Sequence, residues 1–275
     1  MDALIVELYY HLDEHLKAFV KKRAHGCLMS DAEVLLVSVV AARYFAGNVE
    51  TARSFLYQPR YLPHMLSKSR LCRRLHNLLS LLPSVFGSLG EMEKHKEGQK
   101  GFVLDTYPVP VCQNIRIWRS KILKGEQYRG YCASKKSYFY GYKLVLVTTV
   151  AGAFCEVALV PGSMHDRPAM DFLPLDFQPG SLIVADKAFI DSELEELWSE
   201  SSDVYFAPER RKNAKCSPSS FFTCFAKRWR KRIETVGSQI KGMWPYAIHA
   251  VTQVGFELKT LSFVLAYALQ FLINH

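Results

Sequence analysis

The sequence predicts a mixed α/β domain, a sheet with helices covering its faces, preceded by an all-helical N-terminal part. Three observations carry this. Over residues 1–97 the apolar positions recur at helical spacing between capping residues. Beyond a polar stretch, 91-EMEKHKEGQKG-101, the pattern turns to alternation and to apolar runs of strand length. From there the order reads β-β-β-α-β-α-β-α, and a hairpin followed by alternating strands and helices argues for a mixed sheet with helices on its faces.

In the helical part, 30-SDAEVLLVSVVAARYFAG-47 places Ser30 to cap a helix, Glu33 to complete a capping box and Gly47 to end it. The piece 48-NVETARSFLYQ-58 opens on Asn48. The third, 67-SKSRLCRRLHNLLSLL-82, starts at a serine and interleaves Arg70, Arg73 and Arg74 with Leu71, Leu75, Leu78 and Leu79. Short helices broken by turns, the last of them basic, fit a helix-turn-helix DNA-binding unit. They also fit a small helical bundle with a solvated basic face. The polar stretch at 91–101 reads as a linker, which sets the domains at 1–97 and 98–275.

In the second part, GFVLDTYPV gives a strand ending near Asp105, and 138–162 gives two strands turning at Ala151-Gly152. A short helix follows at 166–173. The run 181-SLIVAD-186 is a buried strand ending on an acid, and 191-DSELEELWSE-200 is a helix capped by Asp191. VYFAP is a further strand, after which a basic helix runs through 225–244. The apolar run Leu261–Ile273 is too short to span a bilayer and reads as a buried terminal helix.

A chain of 275 residues, 49% of them hydrophobic, has material for a sizeable core. With 35 Lys and Arg against 26 Asp and Glu, the net charge of +9 favours a polyanionic partner without requiring one. Seven cysteines without a CxxC pair argue against a zinc site or a disulfide framework and fit a reducing cytoplasm; they read as core residues. The N-terminus carries acids early and lacks the pattern of a signal peptide, and no membrane partner is expected.

Two strands end on aspartates, Asp105 and Asp186. In open α/β sheets, ligand and catalytic groups gather at the carboxyl ends of strands, although a strand-end aspartate also serves as a turn former or cap. The third acid lies in 225-FAKRWRKRIETVGSQIKGMW-244. At ~100° per residue, Phe222, Phe225, Trp229, Ile233, Val236, Ile240 and Met243 fall within an arc of about 80°. Lys227, Arg230, Lys231, Glu234, Ser238 and Lys241 cluster opposite. An Arg230–Glu234 surface pair, contributing ~0.3–0.5 kcal/mol, would explain an acid here but not so basic a stripe. Packed cations point to an anion along this face, and a carboxylate among them makes sense if it holds a metal ion that a phosphate also touches. Three carboxylates on a basic surface suit phosphodiester chemistry. Two divalent cations about 3.5–4 Å apart would activate the nucleophile and stabilise the leaving oxygen, and magnesium takes oxygen ligands of this kind.

The acids in VLDTYPV, VADKAF and KRIETVGSQIKG, in this element order, resemble the ribonuclease H-like catalytic core of DDE transposases from bacterial insertion sequences. The blocks 108-PVPVCQNIRIWRSK-121, 128-YRGYCASKKSYFYGYK-143, 161-PGSMHD-166 and 247-AIHAVTQVGFELK-259 are similar to the insertion-sequence group numbered 982. The likeness runs from about Ser30 to the end. It implies an α/β, ribonuclease H-like mixed sheet flanked by helices, with an N-terminal all-helical DNA-binding domain. It further implies Asp105, Asp186 and Glu234 as catalytic and metal-binding acids, with two Mg2+ ions for which Mn2+ may substitute. In the related signature a Tyr precedes an Arg by three residues, a Glu follows four further on and a Lys seven beyond. Arg230, Glu234 and Lys241 match, while Lys227 stands in the tyrosine's place with Trp229 as the nearest aromatic. The implied activity is cleavage at transposon ends and transfer of the 3′-OH to target DNA. The implied partners are double-stranded DNA, as terminal inverted repeats and target, and further copies of the chain in a homodimer or higher multimer. Two other readings share the acids: a ribonuclease H-like nuclease that cuts without joining, and a non-catalytic DNA-binding regulator.

The remaining basic positions expected to meet DNA are Lys135, Lys136, Arg116 and Arg119 in loops, with Arg73 and Arg74 in the helical part; solvated loops are the alternative. Nearby Trp118, Tyr128, Tyr131, Tyr138 and Tyr140 are placed either to stack on unpaired bases or to pack on the sheet. His165 and Asp166 are read as a helix cap, or as groups orienting a metal-bound water.

Overall fold

The computed structural model describes residues 2–19, 27–112, 114–132, 136–210 and 220–274. They form two compact units, one of residues 1–89 with 239–275 and one of residues 90–238.

The first unit is helical: α1 (Asp2–Lys17), α2 (Asp31–Tyr44), α3 (Val49–Leu56), α4 (Lys68–Leu78), the first part of α5 (Leu82–Lys94) and α9 (Gln253–Asn274). Helix α2 is apolar all round, and such a helix must be surrounded. Its side chains from Val34 to Ala42 are buried, and it packs against α1, α3, α4 and α9. Both ends form as the sequence indicates. Ser30 Oγ accepts from Glu33 N at 3.1 Å, and the Glu33 carboxylate accepts from Ser30 N. Gly47, at φ +79°, donates to the Ala41 carbonyl at 2.8 Å and closes the C-terminus. The Asn48 side chain then caps α3 through Thr51 N at 3.1 Å.

Two boundaries differ from expectation. The polar stretch at 91–101 is not all linker, because α5 runs on through Lys94, whose side chain is 1% exposed and bonds Glu156 Oε1 at 2.8 Å. A lysine and a glutamate satisfy each other inside, which composition cannot show. The C-terminal helix, placed by the sequence with the α/β part, packs within the helical unit, its Phe256, Phe263, Val264 and Leu265 buried in that core. This helix has 22 residues, longer than its apolar run, and is long and apolar enough to cross a membrane by length and composition, but most of it is buried among the other helices of its unit. The cysteines are not uniformly core residues: Cys155 is buried while Cys72 and Cys224 are exposed.

The second unit is a six-stranded mixed sheet flanked by helices. Its strands are β1 (Gly101–Cys112), β2 (Arg129–Cys132), β3 (Ser137–Thr149), β4 (Phe154–Pro161), β5 (Leu182–Ala185) and β6 (Tyr205–Pro208). Strands β3 and β4 are antiparallel neighbours, β1 pairs antiparallel with β3, and β5 and β6 follow in parallel, giving β4-β3-β1-β5-β6. The short β2 pairs with the start of β3 and had no distinct signal in the sequence. Its helices are α6 (Asp166–Ala169), α7 (Ser192–Ser202) and α8 (Ser220–Gly242), whose last residues fall in the helical unit. Asp191 caps α7 by accepting from Leu194 N at 3.2 Å. One face of the sheet buries Phe102, Leu104, Val145, Val147, Ile183 and Ala185 with Met170, Phe189 and Phe206.

Candidate functional site

Strand β1 does not end at Asp105, as the sequence suggested, because β3 pairs with it as far as Cys112. Its parallel partner stops earlier. The β1–β5 ladder ends at Leu104 opposite Ala185, so Asp105 and Asp186 are the next residues on adjacent strands. The β5–β6 ladder ends at Ala185 opposite Pro208, and Glu209 N bonds the Ala185 carbonyl at 2.9 Å. Three consecutive parallel strands therefore present an acid at the same edge, and Glu209 is the one the sequence reading missed. Only pairing register could have found it.

Side chains alternate across a strand, so Asp105 and Tyr107 share one face of β1 and Thr106 takes the other. On the first face lies α8. Tyr107 donates to the Ile233 carbonyl at 2.5 Å. A Cβ on Gly237 would lie 2.2 Å from the Tyr107 ring, so helix and tyrosine meet only because residue 237 has no side chain. This contact seats Glu234, the residue after Ile233, above the edge of the sheet. Gly237→Ala tests the seating. A helix-interior alanine would gain roughly 1 kcal/mol in propensity, but the clash costs ~1–3 kcal/mol. Net destabilisation in a urea titration is expected; a stabilised variant would show that the contact is slack.

The wheel assignment of α8 holds: Ile233, Val236 and Ile240 are buried, while Lys227, Lys231, Glu234 and Ser238 are exposed. Phe222 and Phe225 have side chains outside the described residues. Trp229 turns inward, its ring 2.6 Å from where a Cβ on Gly101 would sit. The exception on the polar face is Arg230. Its side chain is 18% exposed and reaches Glu209 Oε2 at 2.7 Å, Asp186 Oδ1 at 3.5 Å and Glu234 Oε1 at 4.0 Å. The simple Arg230–Glu234 surface pair is thus the weakest of the three. One guanidinium gathers acids from two strands and a helix.

Burial pushes the Asp105 carboxyl up to about 6; the Thr106 amide and Arg230 oppose this, and Asp186 and Asp166 add to it. Burial also pushes the Tyr107 hydroxyl up, aided by the adjacent Asp105. A carboxyl raised in the folded state contributes its stability in full below its ordinary 3.8 and loses it as pH climbs through about 6. In urea titrations without divalent ions, the wild type should lose stability across that window, and Asp105→Asn should lack this component. Parallel curves for the two proteins between those pH values would refute the assignment.

On the opposite face, Asp166 stands at the start of α6. It accepts from Thr106 Oγ1 at 3.1 Å and from Lys143 Nζ at 2.9 Å, and Lys143 also holds the Met164 carbonyl at 2.7 Å. The capping expectation for the His165–Asp166 pair is corrected here. His165 occupies the cap position but makes no side-chain cap bond, and Asp166 is spent on β1 and β3. Thr106 and Lys143 were not singled out from the sequence, which gives no sign that strand neighbours would recruit them.

The other basic positions are dispersed. Arg116, Arg119 and Lys136 are exposed, with Arg119 lying 4.2 Å over the Trp118 ring. Arg73 is exposed. Arg74 is committed to the fold, pairing with Asp31 and donating to the Met29 carbonyl at 2.7 Å. Lys241 is half-buried in the last turn of α8. Lys135 lies outside the described residues. Tyr128 and Tyr140 pack into the sheet, whereas Trp118, Tyr131 and Tyr138 are exposed.

The donors Asp105, Asp186, Glu209 and Glu234 are all carboxylate oxygens, the chemistry hard divalent cations take. Among the described residues no group of three His, Cys, Asp or Glu is placed to hold a metal ion. The fit is one of charge: the Arg230 guanidinium stands in for a cation among Asp186, Glu209 and Glu234.

A mixed sheet whose three parallel strands carry acids level with one another, facing a helix that carries another, defines an α/β domain with acids gathered at one place on its sheet. The family described as "Transposase DDE domain" matches residues 96–249, more than half of the chain, and the chain belongs to that family. No curated protein matches it. A cryo-EM structure of a piggyBac transposase synaptic complex with hairpin DNA aligns with 97% of this chain and 72% of its own, at 10% identity and a TM-score of 0.46.

Proposed function

We propose that this protein is a DNA transposase of a bacterial insertion sequence, of the group numbered 982, that binds the element's ends, cuts strands and transfers the 3′-OH to target DNA. The observation that carries this is that Asp186 and Glu234 both reach the Arg230 guanidinium, whose charge also acts on the buried Asp105, inside the segment that matches the family. The strand order β4-β3-β1-β5-β6, antiparallel and then parallel, supports a ribonuclease H-like core.

Asp105, Asp186 and Glu234 are the residues that would hold magnesium, or manganese in its place. A pair of such ions supplies charge for the attacking and leaving oxygens of a phosphoryl transfer. The chain's own residues do the rest. Tyr107 and Gly237 hold Glu234 over the sheet edge, and Asp166, with Lys143, fixes Thr106 beside Asp105. Glu209 gives Arg230 a partner it keeps when Asp186 and Glu234 are engaged elsewhere. Lys227 and Lys231, exposed beside Glu234, face the DNA backbone.

The helical unit is the end-binding part. The chain bends by 114° between α2 and α3 across a short turn containing Gly47, the angle and turn of a helix-turn-helix. The reaction takes place in a reducing cytoplasm, on two ends paired by a homodimer or larger multimer. Incubating the protein with a labelled element end, target DNA and Mg2+ tests this. A joined product supports transposition, cleavage alone points to a nuclease, and no product with Mg2+ or Mn2+ points to a regulator.

A further inference from the structure

A cavity of about 700 Å³ opens within the helical unit, between the start of α3, one side of α4 and the start of α9 with the segment before it. Its lining is largely apolar, with four Lys and His side chains set in it. Lys68 and His76 come from α4, His249 from the segment ahead of α9, and Lys259 from α9. The lining holds a single acid, Glu50, which Arg53 takes with contacts at 3.1, 3.0 and 2.6 Å and whose charge the nearby Lys68 also feels, so Lys259 is the lysine without an acid. Among the described residues no carboxylate lies within ion-pair distance of Lys259, whose Nζ donates to the His249 carbonyl.

Lys259 is half-buried, and removing an ammonium from water without a counter-ion costs free energy that an incoming anion would recover. Burial pushes its amine below the ordinary lysine value, consistent with an unmet charge. Lys68, His76 and His249 are exposed, so the mouth is open to solvent and to a large ligand. At the start of α9 the missing side chain of Gly255 lets α4 come close: the His76 Nε2 lies 3.4 Å from where a Cβ would sit. Lysines bind phosphate as point charges and need no fixed fork geometry, which suits two amines reaching from different helices.

We propose that this cavity is a phosphate seat for the DNA backbone, with Lys259 as its inner cation and Lys68 at its rim. The proposal rests on the reading of the chain as a DNA-binding transposase and names where the helical unit grips its substrate. Each phosphate neutralised by a lysine releases counter-ions, so its loss flattens the salt dependence of binding by about one unit of slope.

The test uses the full chain and a labelled duplex, with anisotropy followed over a salt series. Lys259→Met should weaken binding about tenfold and lower the slope by ~1, and Lys259→Met with Lys68→Met should lower it by ~2. Lys259→Arg should bind as the wild type does, which separates lost charge from a misfolded unit; thermal melting of each variant checks folding directly. Wild-type affinity and slope in the double variant would overturn the proposal. Inorganic phosphate is the second probe. If it raises the melting temperature of wild type but not of Lys259→Met, while duplex binding is the same for both, the cavity holds a small phosphate and the DNA assignment is overturned. If the wild type binds no duplex at any salt concentration, the transposase reading fails, and the seat as a DNA contact fails with it.

Discussion

Asp105→Asn should leave the protein folded and able to bind element ends while abolishing strand cleavage. Holding a divalent cation contributes several kcal/mol to a phosphoryl-transfer transition state, and each 1.36 kcal/mol is tenfold, so the loss is expected to be on the order of 10³-fold or more. The same substitution should raise the melting temperature at pH 7.5. Burial holds the wild-type carboxyl up to about 6, so at that pH the folded state carries an ionised group it disfavours. Asparagine removes the charge and keeps an oxygen to accept from Thr106 N, a bond of 2.8 Å in the wild type. A variant more stable and inactive cannot be explained by misfolding. Gel assays with labelled duplex and Mg2+, run beside melting curves, provide both readouts. Cleavage within tenfold of wild type would remove Asp105 from the chemistry.

Lys94→Met should be the most damaging single change to stability among those considered. The lysine is 1% exposed and its partner Glu156 4%, and they meet at 2.8 Å. Lys94 also holds Glu91 at 2.5 Å, and the second Glu156 oxygen accepts from Leu175 N at 3.0 Å. Burial pushes the Glu156 carboxyl upward, and the lysine opposes it. Without the cation the carboxylate is stranded, a situation that typically costs 3–5 kcal/mol. Replacing both partners by apolar residues is often close to neutral, so Lys94→Met with Glu156→Leu should recover most of the loss. Urea titration of the single and double variants decides it; a single variant within 1 kcal/mol of wild type would show that the pair is dispensable. The pair joins the end of α5 to β4, so its loss should loosen the sheet's edge rather than the helical core.

Three of the acids were legible one by one, while Glu209 and the company they keep were not. Asp186 follows an apolar strand and Glu234 interrupts a basic helix face, both visible as pattern. Asp105 was found because apolar residues precede it, yet its strand continues to Cys112 on account of a neighbour elsewhere in the chain. Glu209 looks like the first residue of a solvated basic loop. It becomes part of the site because β6 stops level with β5. Arg230 was read as one cation of a stripe, but its guanidinium turns from solvent to the carboxylates, since unpaired charge that close to a sheet edge draws the nearest opposite charge.

The sequence by itself determined most of the elements: the capping box at Ser30, the turn at Gly152, the order of strands and helices apart from the short β2, and which side of α8 is apolar. These follow from local backbone preference and periodicity, which act over a few residues. Tertiary structure alone decided that α9 belongs with the N-terminal helices, that Lys94 goes inside, and that four acids and Arg230 share one edge. Those outcomes depend on which surfaces and charges meet after the chain has closed long loops. No window of sequence contains that information.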